Sequence, residues 1–211
     1  MLRDATSEPL EAHQVLYTAG RDITHVYFPV SGMISLVVKM TDADDVEATT
    51  IGNEGLLGIA VILGVASTTM EALCQIAGRA LRVPARAILE ETRRTPRVNR
   101  LLLRYAEAMM VQLAQHAACN RTHSIEQRCA RWLLMTRDRV ASDEFPLTQQ
   151  FLAQMLGVRR ATVTTVAGAL QKAGLIGYSR GRIRIVDERG LEGVACDCYD
   201  VVRRVMKTVT A

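Results

Sequence analysis

The chain has 211 residues, of which 49% are hydrophobic and 23% charged, and its formal net charge is +4. This composition is ordinary for a globular protein and excludes fibrous and intrinsically disordered chains. The longest apolar run, residues 56–65, is too short and too interrupted by glycine to cross a bilayer, and residues 1–6 lack the apolar region of a signal peptide. We therefore expect a cytoplasmic protein with no membrane partner.

The charge is unevenly distributed along the chain. Residues 1–118 carry 11 basic and 13 acidic side chains, whereas residues 119–211 carry 15 and 9. Within the second part, residues 145–186 contain six basic side chains and no acidic one. Because solvated surfaces usually mix both signs, this stretch is predicted to face an anion such as a nucleic acid phosphate.

The five cysteines form an odd, sparse set without the regular spacing of a secreted disulfide framework. This pattern favours free thiols in a reducing compartment. The cysteines are Cys74, Cys119, Cys129, Cys196 and Cys198.

Residues 13 to about 83 are predicted to form short strands separated by turns. The apolar and β-branched segments are 15–17, 25–28, 34–38, 46–51, 73–76 and 80–83. The turn signals are Gly20, 29–32, 41–45, 52–53 and Gly78. Regularly spaced short strands of this kind are typical of a barrel or β-roll.

Two helices are predicted to follow. Pro84 permits a short helix to about residue 91, and Thr95 followed by Pro96 is a strong start for a longer one. Along that helix a stripe recurs at alternating spacings of four and three residues. Its members are Val98, Leu102, Tyr105, Met109, Gln112, His116 and Cys119.

Two interpretations of this stripe are open. The helix can pack on its own β domain, or the stripe, from Val98 to His116, can be a dimer seam. We favour the seam, because further apolar residues on the helix supply more surface than one small roll needs. They are Leu101, Leu103, Met110 and Leu113.

A capping box at residues 124–127 predicts a further helix, with Trp132 in its core face, and makes residues 120–123 a hinge. His116, Cys119 and His123 would share a face and could bind a metal if the preceding helix continued, but a helix end at Asn120 would break that geometry. The pair Cys196 and Cys198 has one intervening residue instead of the usual two. We therefore expect no metal and no cofactor.

Residues 147–176 are predicted to form a helix-turn-helix. Thr148 can cap a short helix, Gly157 supplies the tight turn, and Val158 fills the core. The inner face of the second helix would comprise Val163, Val166, Ala167 and Leu170. Arg160 and the threonines then lie on the outer side near the helix N-terminus, the end that meets base edges in the major groove.

A β-hairpin is predicted from residue 175 to 186, with its turn at 179–182. Arg180 and Arg182 near its tip would contact the phosphate backbone and set register. The full set of predicted DNA-contacting residues is Thr148, Gln149, Arg159, Arg160, Ala161, Thr162, Thr164, Thr165, Arg180 and Arg182.

These motifs resemble the Crp/Fnr family of bacterial transcription regulators over nearly the whole chain. Residues 26–32 and 51–58 resemble the family's cyclic-nucleotide-binding fold, the stripe from Val98 resembles its dimerisation helix, and residues 147–187 resemble its DNA-binding domain. The resemblance implies an α+β chain: a β-roll sensor (1–94), a dimerisation helix (95–119) and a winged helix-turn-helix (120–211). It also implies a homodimer that binds double-stranded DNA and RNA polymerase.

The resemblance carries two departures in the DNA-reading positions. Arg160 matches the arginine usual there, but Ala161 stands where glutamate is common and Thr165 where arginine is common. We therefore expect an operator that differs from the family's best-known one while keeping two-fold symmetry.

The sensor departs further. By the resemblance an effector would bind near Glu54, Gly55, Leu57, Ser67 and Thr68. Residues 65–72 lack the arginine that family members use to neutralise the cyclic phosphate, so we expect cyclic AMP not to bind in the usual way and the effector to be unknown. No cysteine precedes Cys74, so the N-terminal cluster of the iron–sulfur sensors is absent from this sequence.

Other function classes are weaker. The glycines of residues 52–58 match neither the dinucleotide fingerprint nor the phosphate-loop pattern, so we do not expect the protein to be an enzyme. A ligand-binding or interaction module that has lost DNA affinity is the alternative. In the favoured hypothesis, a signal at the β-roll or helix changes the spacing of two recognition helices; a constitutively active dimer is also open.

Overall fold

The structure, a computed structural model, describes residues 4–42 and 45–210. Its first unit is an antiparallel β-roll in which the strands order as β1-β5-β3-β4, with β2 also paired to β5. The strands are β1 (Thr6–Leu10), β2 (Val15–Tyr17), β3 (His25–Val38), β4 (Val46–Ile51) and β5 (Glu71–Pro84). The predicted β-roll is confirmed, and β1 is a strand that sequence reasoning missed.

Two long strands replace four predicted short ones. β3 and β5 each span 14 residues and pair along most of their length, with register shifts around Gly32. A side chain at Gly32 would overlap the carbonyl oxygen of Ile76, and one at Gly78 would overlap the backbone of Ser31. These glycines therefore permit a close approach of two strands, and the turns predicted at 29–32 and Gly78 are wrong. The predicted turn at 41–45 includes residues 43 and 44, which lie outside the described residues.

Three helices follow or interrupt the roll. They are α1 (Ile59–Ile62), α2 (Ala85–Arg94) and α3 (Pro96–Thr122). Thr95 is the N-cap residue of α3 and Pro96 its first helical residue, as predicted. α3 continues past residue 119, and the break before the next helix falls at His123, not at Asn120.

The stripe on α3 packs against the chain's own β-roll. Leu102, Tyr105, Met109 and Gln112 are at most 5% exposed. The Tyr105 hydroxyl donates a hydrogen bond to the Leu56 carbonyl at 3.2 Å, and Gln112 Nε2 donates to Thr49 Oγ1 and to the backbone of β4. Buried polar side chains are normally hydrogen-bonded, and β4 supplies the hydrogen-bond acceptors for Gln112.

The prediction that this stripe forms the dimer seam is therefore wrong, since its central side chains are already buried within one subunit. Val98 and His116 at its ends are half-buried, and His116 Nδ1 lies 3.2 Å from the Ala48 carbonyl oxygen. The exposed apolar residues of α3 are on other faces: Leu101 is 43% exposed, Leu103 45% and Met110 61%.

The second unit begins with the predicted capping box. The Ser124 side chain accepts from the Gln127 amide, and the Gln127 side chain accepts from the Ser124 amide. The elements are α4 (Ile125–Val140), β6 (Glu144–Pro146), α5 (Gln149–Leu156), α6 (Arg160–Lys172), β7 (Ile176–Ser179), β8 (Arg182–Ile185), α7 (Glu188–Val194) and α8 (Cys198–Thr210). The three strands form a small sheet in the order β6-β8-β7.

The last two helices were not predicted. α7 packs on α4, and α8 runs along α3, so the C-terminal end of the chain returns to the long helix. Trp132 is 5% exposed, as expected for a core residue. Among the described residues, no helix combines the length and the apolar character that crossing a lipid bilayer requires.

Candidate nucleic-acid interface and sensor site

The helix-turn-helix forms as the sequence predicts. Thr148 Oγ1 accepts a hydrogen bond from the Phe151 amide at 3.1 Å and caps α5. Gly157 ends α5 in the left-handed region, with φ of 63°, and lets the chain turn into α6. The buried inner face of α6 comprises Val163, Ala167 and Leu170, none more than 3% exposed.

The outer side of α6 carries the predicted base-reading residues. Arg159, Arg160, Ala161, Thr164 and Thr165 are exposed, and Thr162 is half-buried. The N-cap residue Arg159 makes no side-chain hydrogen bond to the helix. Unsatisfied amides at a helix N-terminus suit an external anion, so this end of α6 can accept a phosphate.

Two threonine hydroxyls on α6 are held in place. Thr164 Oγ1 donates to Gln149 Oε1 of α5 at 2.8 Å, and Thr165 Oγ1 donates to the Ala161 carbonyl at 3.2 Å. Each hydroxyl proton is therefore engaged within the protein, and the oxygen remains able to accept a hydrogen bond from a base amino group. Gln149, which the sequence placed in the interface, orients Thr164 from the neighbouring helix.

The predicted wing is a tight hairpin of β7 and β8. Its two turn residues, Arg180 and Gly181, have φ of 50° and 72°, the left-handed pair that matches the twist of a two-residue hairpin. The Leu147 amide donates to the Gly181 carbonyl at 2.8 Å, and the Tyr178 hydroxyl donates to the Leu147 carbonyl at 3.0 Å. These bonds tie the wing to the start of the helix-turn-helix.

The two wing arginines differ in their partners. Arg182 Nε pairs with Glu144 Oε1 at 2.6 Å, and both side chains are about half exposed. Glu144 lies one residue before the acid-free stretch, so sequence reasoning did not count it. Arg180, at the tip, is exposed. Of the two arginines, Arg180 is therefore the stronger candidate for a phosphate contact.

The N-terminal end of α6 lies beside the β-roll of the same chain. Arg159 and Thr162 line an open cleft of about 960 Å³ together with Asp45 and Val46. The side chain of His13 also contacts the Phe151 ring edge-on, with centroids 6.4 Å apart. Access to this end of the recognition helix therefore depends on where the β-roll sits.

The five residues predicted for an effector have separate partners in the structure. Glu54 pairs with Arg139 of α4 at 2.7 Å, and the space beside Gly55 is filled by the Tyr105 ring. Leu57 and Tyr27 are joined by backbone hydrogen bonds. Ser67 forms an isolated β-bridge with Asp22, and the Thr68 carbonyl accepts a hydrogen bond from the Gly20 amide. The pocket that includes Glu54, about 350 Å³, includes none of the other four.

A buried polar junction joins the sensor to the DNA-binding unit. Arg139 donates to Glu54 at 2.7 Å and to Gln112 Oε1 at 3.1 Å, which links α4 to the β-roll and to α3. Nearby, Trp132 Nε1 donates to Glu47 at 3.0 Å. Burial raises the pKa of Glu47, and hydrogen bonds from Ser35 and Trp132 oppose that rise.

The structure also joins two groups that the sequence left apart. Cys119 and His123 of the α3 end meet Cys196 and Cys198 of the α7–α8 connection. His116, which the spacing grouped with Cys119, instead contacts β4, and burial lowers its pKa to about 3.

Comparisons with known proteins agree with this arrangement. A cyclic nucleotide-binding domain model matches residues 7–95, and a Crp-like helix-turn-helix domain model matches residues 127–194. FixK2 from Bradyrhizobium japonicum has a TM-score of 0.78 at 17% identity, covering 91% of this chain and 98% of its own. TTHB099, a CRP-family transcriptional regulator from Thermus thermophilus, has a TM-score of 0.73 at 18% identity, covering 89% and 96%. No curated protein sequence matches significantly.

A sensor roll joined by a long helix to a winged helix-turn-helix defines a class of transcription regulators. The two domain models lie in the order and positions that this class requires. The chain belongs to the Crp/Fnr family of transcription regulators.

The buried junction predicts a measurable loss of stability. Glu54→Gln removes the charge that compensates Arg139, whose side chain is 5% exposed. Breaking a fully buried pair costs about 3–5 kcal/mol, and because Glu54 is partly exposed we expect about 1–3 kcal/mol of lost unfolding free energy. Urea unfolding followed by circular dichroism measures it.

The control is Glu192→Gln, which breaks the pair of Glu192 with Arg203, both about a third exposed. An exposed pair of this kind contributes less than about 1 kcal/mol. Equal, small losses for both variants would show that the junction adds nothing to stability.

Proposed function

We propose that the protein binds a two-fold symmetric DNA operator as a homodimer, with α6 in the major groove and the wing on the phosphate backbone. The observation that carries the proposal is the surface formed by Arg160, the α6 threonines and Arg180 beside an uncapped helix N-terminus. All of these residues lie within 145–186, a stretch of the sequence that contains no acidic side chain. Phosphate contacts would position the protein, and the side chains of α6 would read bases.

The homodimer would form through the face of α3 that is left exposed. Leu103, Met110 and Ala117 recur at intervals of seven residues, and all three are exposed. A seven-residue repeat is the spacing that keeps one seam facing a partner helix. This face replaces the buried stripe as the proposed seam.

The proposed signal route runs through the polar junction of Glu54, Gln112 and Arg139. This junction ties the β-roll to the helix that carries the DNA-binding unit, and the N-terminal end of α6 borders the same β-roll. A ligand that bound one arrangement of the roll better than another would shift the exposure of α6.

We further propose that cyclic AMP is not the effector. Residues 65–72 contain no cation for a cyclic phosphate, and the Glu54 carboxylate is engaged by Arg139. RNA polymerase is the proposed further partner and the cytoplasm the proposed location, since a regulator acts where DNA is transcribed. We propose no catalytic activity.

Two substitutions, tested in a DNA-binding assay, separate base reading from phosphate binding. On fragments selected from random DNA, Arg160→Ala is expected to reduce the preference for selected over random DNA by about 5- to 150-fold, the loss of one bidentate base contact. Arg180→Asn is expected to weaken both DNAs alike and lower the salt slope by about one unit, since it removes one phosphate contact. Asparagine is chosen because it tolerates the left-handed backbone of residue 180.

Fluorescence anisotropy at several salt concentrations measures both effects. Arg93→Ala, which removes an arginine of α2 on the β-roll side, is the matched control and is expected to leave binding unchanged. Identical losses on selected and random DNA for Arg160→Ala and Arg180→Asn would contradict this division. No binding to any duplex in dilute buffer would overturn the proposed function.

A single charged substitution on the exposed face of α3 tests the proposed dimer seam. Met110→Glu places a carboxylate on the proposed seam and is expected to yield monomers in sedimentation equilibrium, because an unpaired charge at a helix interface is costly to desolvate. Met110→Leu keeps the apolar character and is expected to remain dimeric. A Met110→Glu variant that stays dimeric would place the seam elsewhere.

Isothermal titration tests the effector proposal. Cyclic AMP is expected to give no heat of binding at micromolar concentrations, because its phosphate would be buried without a compensating cation. Micromolar affinity for the wild-type protein would contradict the proposal.

A further inference from the structure

Four metal-binding side chains converge where the end of α3 meets the start of α8. The sulfur atoms of Cys119, Cys196 and Cys198 and a ring nitrogen of His123 all lie within 4.8 Å of one another. The three cysteines are at most 4% exposed and form a buried cluster of their own, apart from the main core. All three are free thiols.

The local backbone places these ligands as two pairs. Cys119 lies in the last turn of α3 and His123 one turn later, where the His123 amide donates to the Cys119 carbonyl at 3.0 Å. Cys196 and Cys198 flank a single residue, and Cys198 begins α8. Each pair therefore presents two ligand atoms from one short segment.

Two of the distances between ligand atoms match those of a tetrahedral site, and the others are at most 4.8 Å. Cys119 Sγ lies 3.5 Å from Cys196 Sγ, and Cys198 Sγ lies 3.5 Å from His123 Nδ1. Bonds to zinc of about 2.3 Å from sulfur and about 2.0 Å from nitrogen would separate the ligand atoms by about 3.5–3.8 Å. The sulfurs are too far apart for a disulfide, whose bond is about 2.05 Å.

Two buried arginines of α4 lie near the cluster. Arg128 and Arg131 of α4 are 8% and 4% exposed, and among the described residues neither forms an ion pair with a carboxylate. Both interact electrostatically with Cys119, and Arg131 also with Glu47. Three thiolates, a neutral imidazole and Zn²⁺ carry about one net negative charge, which would compensate these buried cations.

One ligand already has a supporting hydrogen bond. Gln115 Nε2 of α3 donates to Cys198 Sγ at 3.0 Å. Hydrogen bonds to ligand atoms orient metal-binding side chains and contribute to metal affinity.

We propose that Cys119, His123, Cys196 and Cys198 form a structural zinc site that joins the end of the long helix to the last helix of the chain. The site offers four protein ligands, three of them buried and His123 half-buried, so no position is left open for a substrate. Thiolate and imidazole ligands in tetrahedral geometry favour zinc over hard cations. The proposal replaces the expectation, drawn from the sequence, that these residues bind no metal.

Metal content and a cobalt probe test the site in the full-length chain. Protein purified in reducing, chelator-free buffer with added Zn²⁺ is expected to retain about one zinc ion per chain, measured by inductively coupled plasma mass spectrometry. Metal-free protein titrated with Co²⁺ is expected to develop visible bands of tetrahedral cobalt and near-ultraviolet thiolate-to-cobalt absorption, and Zn²⁺ should abolish both.

Cys198→Ala and His123→Ala are expected to lower cobalt affinity by more than about 100-fold, since loss of an outer hydrogen bond alone costs 10- to 100-fold. Cys74→Ala and His116→Ala remove the same residue types outside the cluster and should bind cobalt like the wild type. If the ligand variants fail to fold, the wild-type spectrum decides alone, because its charge-transfer intensity reports bound thiolates.

Three results would overturn the proposal: wild-type protein with reduced thiols that binds neither zinc nor cobalt, a cobalt spectrum without thiolate absorption, or unchanged cobalt affinity in Cys198→Ala. DNA binding is not a readout of this experiment, so its outcome is independent of the proposed function.

Discussion

The placement of α4 against the β-roll is the constraint on which the rest of the structure depends. The buried guanidinium of Arg139 donates hydrogen bonds to Glu54 from the roll and to Gln112 from α3, and the Trp132 indole donates one to Glu47. A buried charge without such partners would cost several kcal/mol, so few other placements of α4 are available to the chain. Because β6, α5 and α6 follow α4 directly, the same contacts set where the recognition helix lies.

The parts that the sequence predicted well are those with local determinants. Thr148 and Gly157 fix the ends of α5 through one side-chain bond and one left-handed residue, and Ser124 with Gln127 starts α4. Caps and tight turns depend on residues within four positions of each other, so their spacing is visible in the sequence. The outer side of α6 followed for the same reason, since one periodicity separates the inner and outer sides of this helix.

The parts that it predicted poorly depend on contacts between distant segments. A stripe at alternating spacings of three and four indicates a buried face, but it does not tell whether the covering surface belongs to the same chain, and for Tyr105 and Gln112 it does. Gly32 and Gly78 resemble turn glycines in the sequence, but in the structure they lie where the paired strands β3 and β5 approach each other most closely. The cysteine cluster joins residues 77 positions apart, a separation that no spacing rule covers.

The backbone at the wing tip has a consequence for how the protein responds to selection. Arg180 occupies a left-handed conformation, with φ of 50°, that costs an ordinary residue about 1–2 kcal/mol and that asparagine or glycine adopts more cheaply. Variants chosen only for heat resistance should therefore tend to lose this arginine, whereas variants chosen for gene control should retain it. At this one position, thermal robustness and regulatory performance favour different amino acids.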